Sequence, residues 1–173
     1  MDWYVVDKKY INYLTQFDSH VGYVEYGERL KLHVGILLTI GDFHYYVPIS
    51  SAKPKHQKMS NSLDFHKLQD ESTGYLYAVL NINNMIPVPD NCLTQLKYNQ
   101  VENFRSFHSD KGKTDYVYLL QKEKKLIDNV QDTLQNKALK LYQKCIAKPD
   151  SSLAARCCNF KMLEEKCSSY SDT

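Results

Sequence analysis

Leu32-His33-Val34-Gly35-Ile36-Leu37-Leu38-Thr39-Ile40-Gly41-Asp42-Phe43-His44-Tyr45-Tyr46-Val47-Pro48-Ile49 reads as one β-hairpin. Branched and aromatic residues fill both arms, as a pleated, half-buried surface requires. Gly41-Asp42 supplies the tight turn between them. Leu32 to Ile40 is apolar enough for a buried strand. At the open end the character changes. Lys31 begins the first arm, and Ser50-Ser51-Ala52-Lys53-Pro54-Lys55-His56 follows the second at once. Antiparallel pairing sets these ends side by side. The sequence alone therefore brings Lys31, Ser51 and Lys53 together. Lysines and hydroxyls are the groups that hold a phosphate, and a loop leaving a strand end has a rigid mount. A solvated Lys/Ser/Pro turn has the same composition, so this stretch alone leaves both readings open.

Working outward, Trp3 to Val6 predicts a strand. Asp7 predicts an N-cap for a helix carrying Tyr10, Ile11, Leu14 and Phe17 at helical spacing. Asp18 to Leu30 reads as a loop, and Ser50 to Gly74 as a long polar connection. Tyr75 to Asn81 and Met85 to Val88 resume the strand pattern, with Asn83-Asn84 as their turn. This gives about five antiparallel strands in a small, strongly twisted barrel or half-barrel. After Pro89, Leu93, Leu96 and Val101 suggest short helices. One long helix is expected from near Asp115 to Cys145. Its stripe is Tyr116, Leu120, Ile127, Val130, Leu134, Ala138, Leu141 and Cys145. Lys122, Lys124, Lys125, Lys137 and Lys140 lie off that stripe, as a solvated face or an RNA-contacting one. A short helix from Ser151 follows, and Asn159 caps a last one, Phe160 to Lys166. The economical reading is one α+β domain over residues 1–173.

The net charge is only +2, so the molecule is no basic coat for nucleic acid, and an anion site must come from local clustering. Tyrosine is abundant, with 14 residues that could pack a core or stack on bases. The five cysteines have no C-x-x-C spacing, and the histidines form no helical H-x-x-x-H pair. A reduced, cytoplasmic protein without cofactor or membrane contact is the expectation.

The order of motifs resembles the ToxN/AbiQ family of type III toxin–antitoxin and phage abortive-infection toxins. The likeness runs through Lys9-Tyr10-Ile11-x-Tyr13-Leu14-x-x-Phe17-Asp18, Lys31-x-x-Val34-Gly35-Ile36 and Pro48-Ile49-Ser50-Ser51-x-Lys53. It continues in Asn83-x-Met85-Ile86-Pro87-Val88 and Cys158-Asn159-Phe160-x-x-Leu163-Glu164-Glu165-Lys166. Ser50 stands where the family often has Thr, Ala52 and Pro54 where Pro and Lys are common, and His56 near a frequent Trp. The resemblance implies an SH3-like barrel with added helices, related to MazF and Kid. It implies a metal-independent, sequence-selective endoribonuclease leaving 2′,3′-cyclic phosphate and 5′-hydroxyl ends. It also implies cellular or phage RNA as substrate, and inhibition by a repeated pseudoknot RNA in a closed protein–RNA hetero-oligomer.

Such cleavage needs a proton taken from the 2′-hydroxyl, charge stabilised on the phosphorane, and a proton given to the leaving oxygen. The catalytic candidates are Lys31, Ser50, Ser51 and Lys53. Ser51 donates to the scissile phosphate, Lys53 stabilises charge and Lys31 transfers the proton. Tyr10, Tyr26, Lys55, His56 and Lys58 are candidate RNA contacts. His56 also has a general base's ordinary pKa, and His33 shares the strand face of Lys31. A non-catalytic RNA-binding module would use the same basic loop. A small-molecule enzyme is disfavoured by the lack of a Gly-rich phosphate loop or nucleophile motif.

Overall fold

The computed structural model describes residues 1–22, 25–26 and 29–171, with the backbone alone for 25–26 and 29–30. β1 (Asp2–Val6) leads into α1 (Lys8–Thr15). A ribbon of β2 (Glu25–Tyr26) and β3 (Arg29–Leu30) precedes the central hairpin, β4 (His33–Ile40) and β5 (Phe43–Ser51). One turn of helix, α2 (Pro54–Gln57), is followed by β6 (Phe65–Gln69), β7 (Leu76–Asn81), β8 (Ile86–Pro87) and β9 (Leu93–Gln95). Helices α3 (Asp110–Asn129), α4 (Gln131–Ala147) and α5 (Phe160–Ser169) come last.

The hairpin forms as expected. Ile40 faces Phe43 across the turn, and Gly41 takes φ +56°, which its lack of a Cβ makes inexpensive. Asp7 caps α1 by accepting from the Lys9 and Tyr10 amides, and the helix buries Tyr10, Ile11 and Leu14. Gly35 packs under the Tyr46 ring, where any Cβ would collide.

Seven strands make one antiparallel sheet, ordered β6-β7-β5-β4-β1-β9, with β8 added beside β5. The expected barrel is not closed, because β6 and β9 end the sheet without meeting. Instead β5 has two successive partners. Tyr45 and Tyr46 pair with β8, and Ile49 to Ser51 pair with β7. The sheet opens at that fork, and the helices supply its cover: α4 on β4, α5 on β8, α3 on β6 and β7.

Other expectations fail for identifiable reasons. β6 lies inside the polar connection, where pairing along β7 outweighs composition. β9 pairs with β1, and short 3₁₀ turns, Asp90–Cys92 and Tyr98–Asn103, stand where short helices were expected. β7 and β8 are not partners across Asn83-Asn84, since both bond to β5. The long helix breaks at Val130, which leaves helical geometry at φ −118°, ψ 14°. Leu120, Ile127, Leu134, Ala138, Leu141 and Cys145 are all buried across the break, so the stripe stays in phase and conceals it. The short helix from Ser151 reduces to a 3₁₀ turn, Ala154–Arg156.

Candidate active site

The Ile49 amide donates to the Leu32 carbonyl at 3.1 Å, and His33 faces Pro48. This clamp carries Lys31 to Ser50, and its Nζ donates to Ser50 Oγ at 2.9 Å. Asn81 Nδ2 of β7 donates to the same oxygen at 3.3 Å. A hydroxyl has two acceptor positions and one proton. With both positions filled, the Ser50 proton is left to donate outward. Lys31 is half-buried, and burial lowers its pKa, helped by the nearby Lys53 charge. Both effects favour the neutral amine.

The corner opens into a cavity of about 330 Å³. Lys31, Ser50, Ser51 and Lys53 line one side, and Tyr116, Leu119, Leu120 and Glu123 of α3 line the other with Arg105. Arg105 lies over the Tyr116 ring, 4.5 Å from its centroid. A larger hollow of about 470 Å³ between β6 and α3 mixes Lys67, Lys122 and Lys125 with Asp70 and Glu71. Its mixed signs do not single out an anion, so the smaller cavity is the candidate. Among the described residues no group of three or more His, Cys, Asp or Glu could hold a metal ion, and no helix is long and apolar enough to cross a membrane.

The structure thus brings the four catalytic candidates together, with Ser50 rather than Ser51 in contact with Lys31. The predicted RNA contacts fare differently. Tyr10 is fully buried, donates to the Pro87 carbonyl at 2.7 Å and packs edge-on against Tyr170, so no base can reach it. His56 is buried against Phe65, and its Nδ1 accepts the Lys53 amide at 3.1 Å. It shapes the α2 turn and does not line the cavity. Burial, then Lys55 and Lys53, lower its pKa. Lys55 and Lys58 are exposed on that turn, outside the cavity lining. The Tyr26 side chain lies outside the described residues. His33 is buried, its pKa pushed down to about 3 by burial and Lys31, and it too is absent from the lining. Of the off-stripe lysines, Lys124 pairs with Asp2 and Asp128, and Lys137 donates to the Phe65 carbonyl.

Sequence reasoning missed Asn81, Arg105 and Glu123, and assigned Tyr116 to the core stripe. The signal for Glu123 was available. The stripe jumps seven residues from Leu120 to Ile127, and Glu123 fills the missing step inside a run of lysines.

A profile of the toxin ToxN of type III toxin–antitoxin systems matches residues 2–168. The chain belongs to the ToxN family. The endoribonuclease AbiQ of Lactococcus lactis subsp. lactis is 29% identical, over 98% of this chain and 88% of AbiQ. The endoribonuclease ToxN of Bacillus thuringiensis subsp. kurstaki is 27% identical, over 98% and 84%. Solved structures agree. AbiQ, described as a lactococcal anti-phage endoribonuclease, superposes with TM-score 0.82 at 27% identity, covering 99% of this chain and 98% of that one. A type III toxin selectively inhibited by a non-coding RNA pseudoknot gives 0.83 at 28%, covering 99% and 98%.

In this ToxN-family chain the quoted motifs separate into two groups. Lys31 and the Ser50-Ser51-x-Lys53 run make the cavity. The others form a joint. Asp18 is buried and accepts the Asn159 amide at 2.7 Å. The Asn83 carbonyl accepts the Cys158 amide at 2.9 Å. Glu164 accepts from the Tyr45 and Tyr142 hydroxyls at 2.9 and 2.7 Å.

Proposed function

We propose that this chain is an endoribonuclease, the toxin of a type III system acting in phage abortive infection, and that it cleaves RNA at the Lys31–Ser50 corner. The hydrogen bond between those side chains, in a cavity that Ser51, Lys53 and Arg105 also line, carries the reading. Membership of the family and the named activities of AbiQ and ToxN support it.

Neutral Lys31 takes the proton from the substrate's 2′-hydroxyl, whose oxygen attacks the adjacent phosphorus. The outward proton of Ser50, with Ser51, bonds the non-bridging oxygens. Lys53 neutralises the phosphorane and gives a proton to the leaving 5′-oxygen. The products are a 2′,3′-cyclic phosphate and a 5′-hydroxyl, and every developing charge meets a lysine or hydroxyl. A metal ion has no part in this scheme. Residues 1–173 act as one domain, since one core runs from Trp3 of β1 to Leu163 of α5. Its sheet is read as an opened form of the SH3-like barrel of MazF and Kid.

The antitoxin in this reading is a repeated pseudoknot RNA whose processed ends stay in the same cavity, linking toxins into a closed protein–RNA assembly. Purified protein should cleave RNA in EDTA, and mass spectrometry should find cyclic phosphate ends. Products with 3′-hydroxyl ends, or cleavage that needs magnesium, would overturn the scheme. Binding without cleavage would leave an RNA-binding module.

A further inference from the structure

Glu123 is a carboxyl with nothing holding it. It is 6% exposed on α3, yet no hydrogen bond or ion pair reaches it among the described residues. Its oxygens are not sealed off as buried orphan atoms, and the residue lines the cavity opposite Lys31 and Ser50. Holding a carboxyl this far from water without a protein partner is costly even where its oxygens keep some access. Nothing in the packing accounts for it.

The surroundings do. Tyr116, Leu119 and Leu120 of α3 give the cavity an apolar wall, and among the α3 residues that line it Glu123 is the one carboxyl. Splayed RNA bases are received in this way, with flat faces on apolar walls and one polar group at the edge. The side chains proposed to hold phosphate, Lys31, Ser50, Ser51 and Lys53, line the same cavity. The charged and titratable groups facing the cavity are Lys31, Lys53, Arg105 and Tyr116. No cation among them offsets the effect of burial, which pushes the Glu123 pKa up to about 7.

We propose that Glu123 reads the base of a nucleotide flanking the scissile phosphate, by accepting a hydrogen bond from an exocyclic amino group, and so rejects uracil. The proposal rests on cleavage at the Lys31–Ser50 corner. Adenine, cytosine and guanine each carry an amino donor, and uracil has none. An ionised carboxylate can only accept, and the one donor on uracil's pairing edge, N3–H, lies between two carbonyl oxygens that repel it. A neutral carboxyl can also donate to such a carbonyl, so it tolerates uracil. Discrimination against uracil should therefore strengthen as pH rises through the carboxyl's titration.

The test is cleavage of a randomised RNA pool, with the cut ends sequenced, at about pH 6 and about pH 8. The wild type should disfavour uracil at one position beside the cut, by about tenfold or more at the higher pH and less at the lower. Glu123→Gln, which keeps size and shape, should behave at both pH values like the wild type at low pH. Glu123→Ala should lose the preference at both. An unchanged, pH-responsive preference in Glu123→Gln would overturn the assignment, as would variants that lower only the melting temperature. Lys31→Ala serves as the separate control. Continued cleavage by that variant would sink the catalytic assignment, whatever the Glu123 variants do.

Discussion

β5 belongs to two regions that share little besides their strand. Its first half is interior. Tyr45, Tyr46 and Val47 are buried, β8 pairs alongside, and the Tyr45 hydroxyl reaches the carboxylate of Glu164 on α5. Its second half pairs with β7 and ends in half-exposed and exposed serines beside Lys31. Family motifs meet both halves: Ile86-Pro87 and Glu164 hold the first to β8 and α5, while Ser50-Ser51-x-Lys53 carries the second to the cavity. A polar corner can be aimed at solvent because the buried half of the same strand fixes it.

The largest expected effect tests the second half. Lys31→Ala removes the proposed proton acceptor and should lower the cleavage rate by about 10²–10⁴, with the melting temperature almost unchanged. Lys31→Arg keeps the charge but cannot give up a proton at working pH, so it should be nearly as slow. A fully active arginine variant would mean that charge alone matters. The wild-type rate should rise with pH until Lys31 is neutral, at a pH below the ordinary lysine range, because burial and Lys53 depress its pKa.

Next comes the first half. Tyr45→Ala empties a fully buried site and breaks the contact with Glu164. By analogy with large aromatic truncations it should cost about 3–5 kcal/mol in urea unfolding. The rate per folded molecule should fall far less than in Lys31→Ala. Equal losses in both variants would erase the distinction between the two halves.

The difference between the halves also explains what the sequence could convey. The hairpin was legible because apolar arms and a Gly41-Asp42 turn are local signals, and register then follows from geometry. That geometry placed Lys31 beside the Ser50-Ser51 end of β5, and only the structure shows that Ser50 is the serine it meets. The fork in β5 was not legible, since no residue marks where one partner strand yields to another. β6 was hidden because Phe65-His66-Lys67-Leu68-Gln69 has too few apolar residues to read as a strand away from β7. Tyr10 and His56 could not be placed from sequence for one reason: an aromatic or imidazole ring looks the same there whether its polar atom meets RNA or, as in this structure, a backbone group. Asn81 meets Ser50 and Arg105 lines the cavity from distant segments, and no spacing rule connects them to Lys31.

Glu123 tests the opposite wall through stability. Its folded pKa, about 7, lies above the ordinary carboxyl value. The unfolded chain therefore ionises first, and stability falls as pH rises from about 4.5 to about 7, with the whole penalty present above that. Glu123→Gln removes the titration. It should match the wild type near pH 4.5 and exceed it near pH 8, by at most roughly 3 kcal/mol. Equal stability at both pH values would mean that the carboxyl finds a partner in solution.

The smallest effect returns to the buried half. Tyr10→Phe keeps the ring among Tyr170 and the α1 core but removes the hydroxyl that donates to Pro87. Pro87 pairs with Tyr45, so this bond ties α1 to the first half of β5 through β8. Losing it leaves a buried carbonyl without its donor, at a cost of about 1 kcal/mol, somewhat more if no water enters. RNA affinity and cleavage should not change, because the ring is enclosed on every side. The measurement is a pair of titrations on one preparation, urea unfolding and binding of a non-cleavable RNA. Weakened binding with unchanged stability would return Tyr10 to the RNA surface and move the boundary between the two regions.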